Sequence, residues 1–90
     1  MLTVSIIVSG KVQGVYYRQS TKEMAVALDI TGKVKNLPDG SVCIIATGTS
    51  EQLDKLAVWC KQGPARASVT DLIILELPLQ SFSKFSIERF

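Results

Sequence analysis

The segment "LTVSIIV" puts Leu2, Val4, Ile6 and Val8 on one side of an extended backbone, which is the two-residue period of a half-buried strand. A loop follows and the period changes. From Arg18 to Leu28 helix formers dominate, with Met24, Ala25, Ala27 and Leu28 gathered on one side. Ser20 with Glu23 matches a capping box, so local signals start this helix at Ser20. "TGKVKN" and "SVCIIATG" flank "LPDG", where Pro presets φ and Gly takes a left-handed position, so the pair reads as a hairpin. "TSEQLDKLAVWCKQG" then spaces Leu53, Leu56, Ala57 and Cys60 as a helix, with Thr49 or Ser50 as N-cap and Gly63-Pro64 as the stop. "SVTDLIILEL" is a strand, Pro78 interrupts it, and "FSIER" can add a short last strand.

The order β-α-β-β-α-β predicts an α+β fold of the ferredoxin-like, split-βαβ kind. Two helices lie on one face of an antiparallel sheet of four to five strands. The first two strands then run in the same direction, because the helix between them carries the chain back. Their C-terminal ends share one edge of the sheet, which brings the loop after the first strand close to Asn36 at the end of the second.

Ninety residues, 47% of them apolar, make one small core, expected to span 1–90 as a single domain beginning near Leu2 and ending near Phe90. The formal charge is +2 and the ten basic residues are scattered, so no polybasic arm is available for nucleic acid or anionic lipid. The longest apolar run, "LIIL", cannot span a bilayer, and the N-terminus lacks a charged leader, so a cytoplasmic protein is expected; a monomer is expected as well. Cys43 and Cys60 read as buried thiols. No histidine is present, which removes imidazole acid–base catalysis, histidine-activated nucleophiles and most zinc sites together.

The candidate chemistry lies in "SGKVQGVYYRQS", residues 9–20. Gly10 and Gly14 either turn the chain or let backbone N–H groups close around an anion, and the loop feeds a helix start whose orphan N–H groups carry a positive dipole end. Arg18 beside that end opposes the dipole, which a purely structural loop leaves without a reason. The residues by themselves leave both readings standing.

"GKVQGVYYR", followed by "GKVKNLPDGSV" and "GPARASV", resembles the acylphosphatase family, whose pattern runs G-x-V-Q-G-V-x-[FY]-R and then G-x-V-x-N-x-x-D-G-x-V. The resemblance covers nearly the whole chain and carries the same fold. It implies hydrolysis of the carboxyl-phosphate bond of small-molecule acyl phosphates to carboxylate and inorganic phosphate. Arg18 and the backbone amides of Gln13, Gly14, Val15, Tyr16, Tyr17 and Arg18 would hold the phosphate, and Asn36 would orient the attacking water. It implies no metal and no cofactor. The chain departs from the common pattern at Tyr16, where Gly or Phe is frequent, at Tyr17 for Phe, at Lys33 for an aromatic and at Cys43 for an acid. Family members also occur as the N-terminal domain of a larger hydrogenase-maturation protein; the length of this chain favours a stand-alone enzyme.

The residue types suit that chemistry. An acyl phosphate expels a carboxylate, a weak base that departs without being protonated, so no general acid is required. A guanidinium can fork two phosphate oxygens while converging N–H groups meet the rest. An asparagine can accept from water and donate to it without ionising.

The alternative is a non-catalytic anion-binding or regulatory module on the same cradle. An RNA-binding sheet is disfavoured, since "SVCIIATG" offers no aromatic where the RNP1 pattern needs one. The two tyrosines read as packing residues, Arg66 as an exposed loop charge and Asp39-Gly40 as turn chemistry. By position alone, Asn36 would bond its own backbone before the turn.

Overall fold

The computed structural model describes residues 1–89; the expected domain end at Phe90 lies outside the described residues. The elements follow in the order β1 (Leu2–Lys11), α1 (Tyr17–Ala27), β2 (Thr31–Asn36), β3 (Val42–Gly48), α2 (Ser50–Gln62), β4 (Ser68–Leu77) and β5 (Phe85–Glu88). The sheet order is β4-β1-β3-β2-β5. This is the ferredoxin-like α+β arrangement that the hydrophobic periods predict.

Four strands pair antiparallel as expected, but the sheet as a whole is mixed, because β5 lies parallel to β2. Pro78 cannot continue a ladder, so the chain leaves β4 and crosses to the opposite edge of the sheet. On the way the Gln80 carbonyl accepts the Thr47 hydroxyl at 2.9 Å, and the Gln80 amide donates to the Thr3 hydroxyl at 2.8 Å. That crossing explains why Thr3, on the open face of the sheet, is fully buried.

On the other face, Ile6 and Val8 of β1 stand opposite Ile44 and Val42 of β3, and Val34 of β2 opposite Ile44. These residues are buried in one cluster with Ala25 of α1 and Leu53, Leu56 and Cys60 of α2, so both helices cover this face. Asn36 has the same parity as Val34, which places it on the helix side at the end of β2. Among the described residues no helix is long and apolar enough to cross a membrane.

The two helix starts differ in how well local chemistry foretells them. Thr49 caps α2 with a complete capping box: its hydroxyl accepts the Gln52 amide at 3.1 Å, and the Gln52 side chain accepts the Thr49 amide at 2.8 Å. Helix α1 begins at Tyr17, not at Ser20, and has no side-chain cap. Tertiary packing overrides the local signal there. Tyr17 is buried against α2, its ring centroid 5.5 Å from that of Trp59 and its hydroxyl donating to the Cys60 carbonyl at 2.8 Å. Gly63 makes room for that ring, since a Cβ there would lie 2.8 Å from Tyr17 Cε2. Burial pushes the Tyr17 phenol well above its ordinary pKa and the Cys60 thiol up to about 12. Cys43, expected to be buried, is only half-buried, on the open face of the sheet.

Candidate active site

The loop between β1 and α1 is shaped by backbone handedness. Gly14 has φ 74°, and Tyr16 is left-handed at φ 62°, ψ 25°, immediately before the right-handed turn that opens α1. Juxtaposed backbone conformations of opposite hand turn successive N–H groups into one concavity. A tyrosine held at positive φ is strained by about 1–2 kcal/mol, and such strain concentrates at functional sites.

Accounting for backbone donors leads to the same place. Among the described residues the amides of Gln13 to Arg18 donate to no protein acceptor; the first bond of the helix is Ser20 N–H to the Tyr16 carbonyl at 3.0 Å. So long a run of unpaired donors needs an outside acceptor, water or an anion.

A cavity of about 530 Å³ lies against this loop, with Gln13, Gly14, Tyr16, Tyr17, Arg18 and Asn36 among its lining. Of the seven positions singled out from the sequence, Val15 alone is missing from that wall; its side chain is buried in the core. The Arg18 guanidinium donates from Nη1 to the Glu88 carbonyl at 3.1 Å, so the last strand aims it. Glu88 stands opposite Lys35 in the β2–β5 ladder, one residue before Asn36. That strand was only a possibility in the sequence, and it brings the arginine and the asparagine to one edge.

Asn36 does not bond its own backbone. Its Oδ1 is buried with no partner among the described residues. The turn is closed by Asp39 instead, whose Oδ1 accepts the Ser41 amide at 2.9 Å and the Ser41 hydroxyl at 2.6 Å, bonds that lower the Asp39 pKa. The Gln13 side chain bridges the loop to this turn. Its Nε2 donates to the Leu37 and Ser41 carbonyls, both at 2.9 Å, so the amide braces the hairpin that carries Asn36.

The rim revises one expectation and extends another. Tyr16 is not a packing residue; it is 77% exposed and stands over the cavity. Arg66 is exposed but also lines the cavity, as does Arg89. The described lining thus holds three guanidiniums and no carboxylate. Arg66 lies in "GPARASV", so the resemblance gave a signal that composition did not. Among the described residues no three His, Cys, Asp or Glu side chains come together in the manner of a metal site.

Comparison with known proteins decides the family. The acylphosphatase family model matches residues 4–87. The chain belongs to the acylphosphatase family. It is 53% identical over 81 residues to an acylphosphatase from Marinobacter nauticus, covering 89% of this chain and 88% of that one. An acylphosphatase from Methylococcus capsulatus is 43% identical over 90 residues, covering 99% and 98% of the two chains. The crystal structure of acylphosphatase from Bacillus subtilis superposes with a TM-score of 0.95 at 37% identity, covering 98% of this chain and 99% of that one. Like these acylphosphatases, the chain is built for hydrolysis of acyl phosphates.

Proposed function

We propose that this acylphosphatase holds the phosphate of an acyl phosphate in the loop from Gln13 to Arg18, with Arg18 forking two oxygens, and that Asn36 positions the water that attacks phosphorus. The observation that carries the reading is one juxtaposition. Asn36, whose buried Oδ1 has no partner among the described residues, lines the same cavity as Arg18 and the loop with its run of unpaired amides. An acceptor without a donor beside a set of donors without acceptors fits a water and a phosphate, respectively.

In this reading water attacks phosphorus opposite the acyl oxygen, the P–O bond to the carboxylate breaks, the electron pair leaves with the carboxylate, and the two protons of the water stay on the dihydrogen phosphate that forms. The N–H groups and guanidinium meet charge on the phosphoryl oxygens as it redistributes, and no proton has to be delivered to the leaving group. A histidine-free wall with three guanidiniums can do this without a metal or cofactor, so turnover in the presence of a chelator belongs to the proposal.

The test is Asn36→Ala, with kcat, KM and melting temperature measured on one preparation. Loss of a positioned polar group should lower kcat by at least ~10²-fold while KM stays within a few-fold. Normal turnover with a lowered melting temperature would reduce Asn36 to a structural residue of the turn.

A further inference from the structure

Of the described residues that line the cavity, Gly14, Tyr16, Gln19, Arg66 and Arg89 are the exposed ones, so they form its rim. Only Tyr16 offers a flat apolar face there. Its ring lies outside the core cluster and joins no aromatic pair among the described residues, so packing gives this position no reason to be aromatic. The backbone gives a reason against it. At φ 62° and ψ 25° a side chain with a Cβ is strained, whereas glycine takes this conformation freely and asparagine at lower cost. Tyr16 thus combines a strained backbone with an apolar ring left in water. Both are disfavoured in the free protein, and a group from outside the chain that covers the ring would offset them.

We propose that Tyr16 determines acyl-group specificity: its ring stacks on the acyl group of the substrate and favours flat, aromatic acyl phosphates over small aliphatic ones. The inference rests on the reading of the loop as the phosphate holder. In that reading the Tyr16 amide is itself one of the donors to phosphate, so the ring is rooted in the wall that holds the phosphorus.

The acyl carbon is joined to phosphorus through a single oxygen. With the phosphate held at the loop, the acyl group extends toward the mouth of the cavity, whose volume of about 530 Å³ leaves room for more than a phosphate. There it meets the rim. Arg66 and Arg89 share that rim, but an uncharged acyl group such as benzoyl or acetyl gives their guanidiniums no charge to pair. The ring of Tyr16 can still act on it. Two aromatic rings in offset or edge-to-face contact gain a preference beyond the apolar area they cover, and a methyl group gains almost none of it.

The test is a competition, in which the full chain hydrolyses benzoyl phosphate and acetyl phosphate together and the ratio of their kcat/KM values is read for each variant. A change in the loop's hold on phosphate acts on both substrates and cancels in that ratio. Tyr16→Phe retains the ring and should leave the ratio little changed. Tyr16→Asn removes the ring and keeps a residue that tolerates the left-handed conformation, and the ratio should fall, against benzoyl phosphate, by roughly 3- to 10-fold. If that variant fails to fold, Tyr16→Gly serves. A ratio unchanged once the ring is gone overturns the proposal. An equal fall in Tyr16→Phe overturns it by giving the contact to the hydroxyl, and a fall confined to Arg66→Gln does so by giving it to the guanidinium. Hydrolysis of neither substrate by the unmodified protein would overturn the phosphate-holding reading itself, and this inference with it.

Discussion

Tyr16 and Tyr17 are neighbours in sequence with opposite fates. Tyr17 turns inward, is 1% exposed, and fixes where α1 begins. Tyr16 takes a left-handed conformation immediately before α1, and its ring stays in solvent. Nothing in "YY" separates the two, because the difference arises from the Gly63 gap and the Trp59 ring on a helix that comes much later in the chain. Arg18 drew notice for the opposite reason: a positive charge at a helix start is locally unfavourable, a conflict that by itself left the functional and the structural readings both standing. Arg18→Lys keeps the charge but has neither a two-pronged fork nor the reach of Nη1 to the Glu88 carbonyl. We expect kcat/KM to fall by at least ~10²-fold, with the melting temperature little changed. Near-normal kinetics would leave Arg18 as a solvated charge.

At the level of elements, strands β1 to β4 and helix α2 follow from period, turn chemistry and caps, since each residue's neighbours in sequence are also those that decide its state. The start of α1 and the direction of β5 do not, because both depend on contacts made across the fold. Gln13 belongs with them. Its backbone amide counted among the phosphate-holding groups, whereas nothing in the sequence foretold that its side chain also ties the loop to the β2–β3 turn through two bonds of 2.9 Å. Both acceptor carbonyls keep a second partner, the Leu37 carbonyl from the Gly40 amide and the Ser41 carbonyl from the Leu37 amide, so losing the bridge strands neither. Gln13→Ala should therefore cost only about 1 kcal/mol in stability. Its larger effect should be on catalysis: with Asn36 no longer held in register with the loop, kcat should drop by roughly 10-fold and KM much less. Equal losses in a Gln13→Ala/Asn36→Ala double variant and in Asn36→Ala alone would show that the two act through one position. Fully additive losses would contradict the brace.

Across the whole molecule, the candidate site draws on segments far apart in sequence: the loop that follows β1 carries the unpaired amides, and β5 holds the Arg18 guanidinium through the Glu88 carbonyl. No group on this frame is poised to titrate at neutral pH by imidazole chemistry, and burial raises both thiols above their ordinary values. The pH–rate profile should thus show no step near ~6.5. Asp39 acts on the acid side. Its pKa is lowered by the Ser41 hydroxyl and amide, so its hold on the turn is present above the ordinary value of 3.8 and is lost as pH falls through the lowered one. A single-proton step at neutral pH would reveal a titrating group outside this description. The central claim is that water attacks the phosphorus held by the loop, without a metal and without a covalent step through the acyl carbon. It is tested most directly by letting the pure protein hydrolyse benzoyl phosphate in heavy-oxygen water with a chelator present, then locating the label by mass spectrometry. The account predicts turnover with one labelled oxygen in inorganic phosphate and none in benzoate; label in benzoate, or no turnover until a divalent metal is restored, would contradict it.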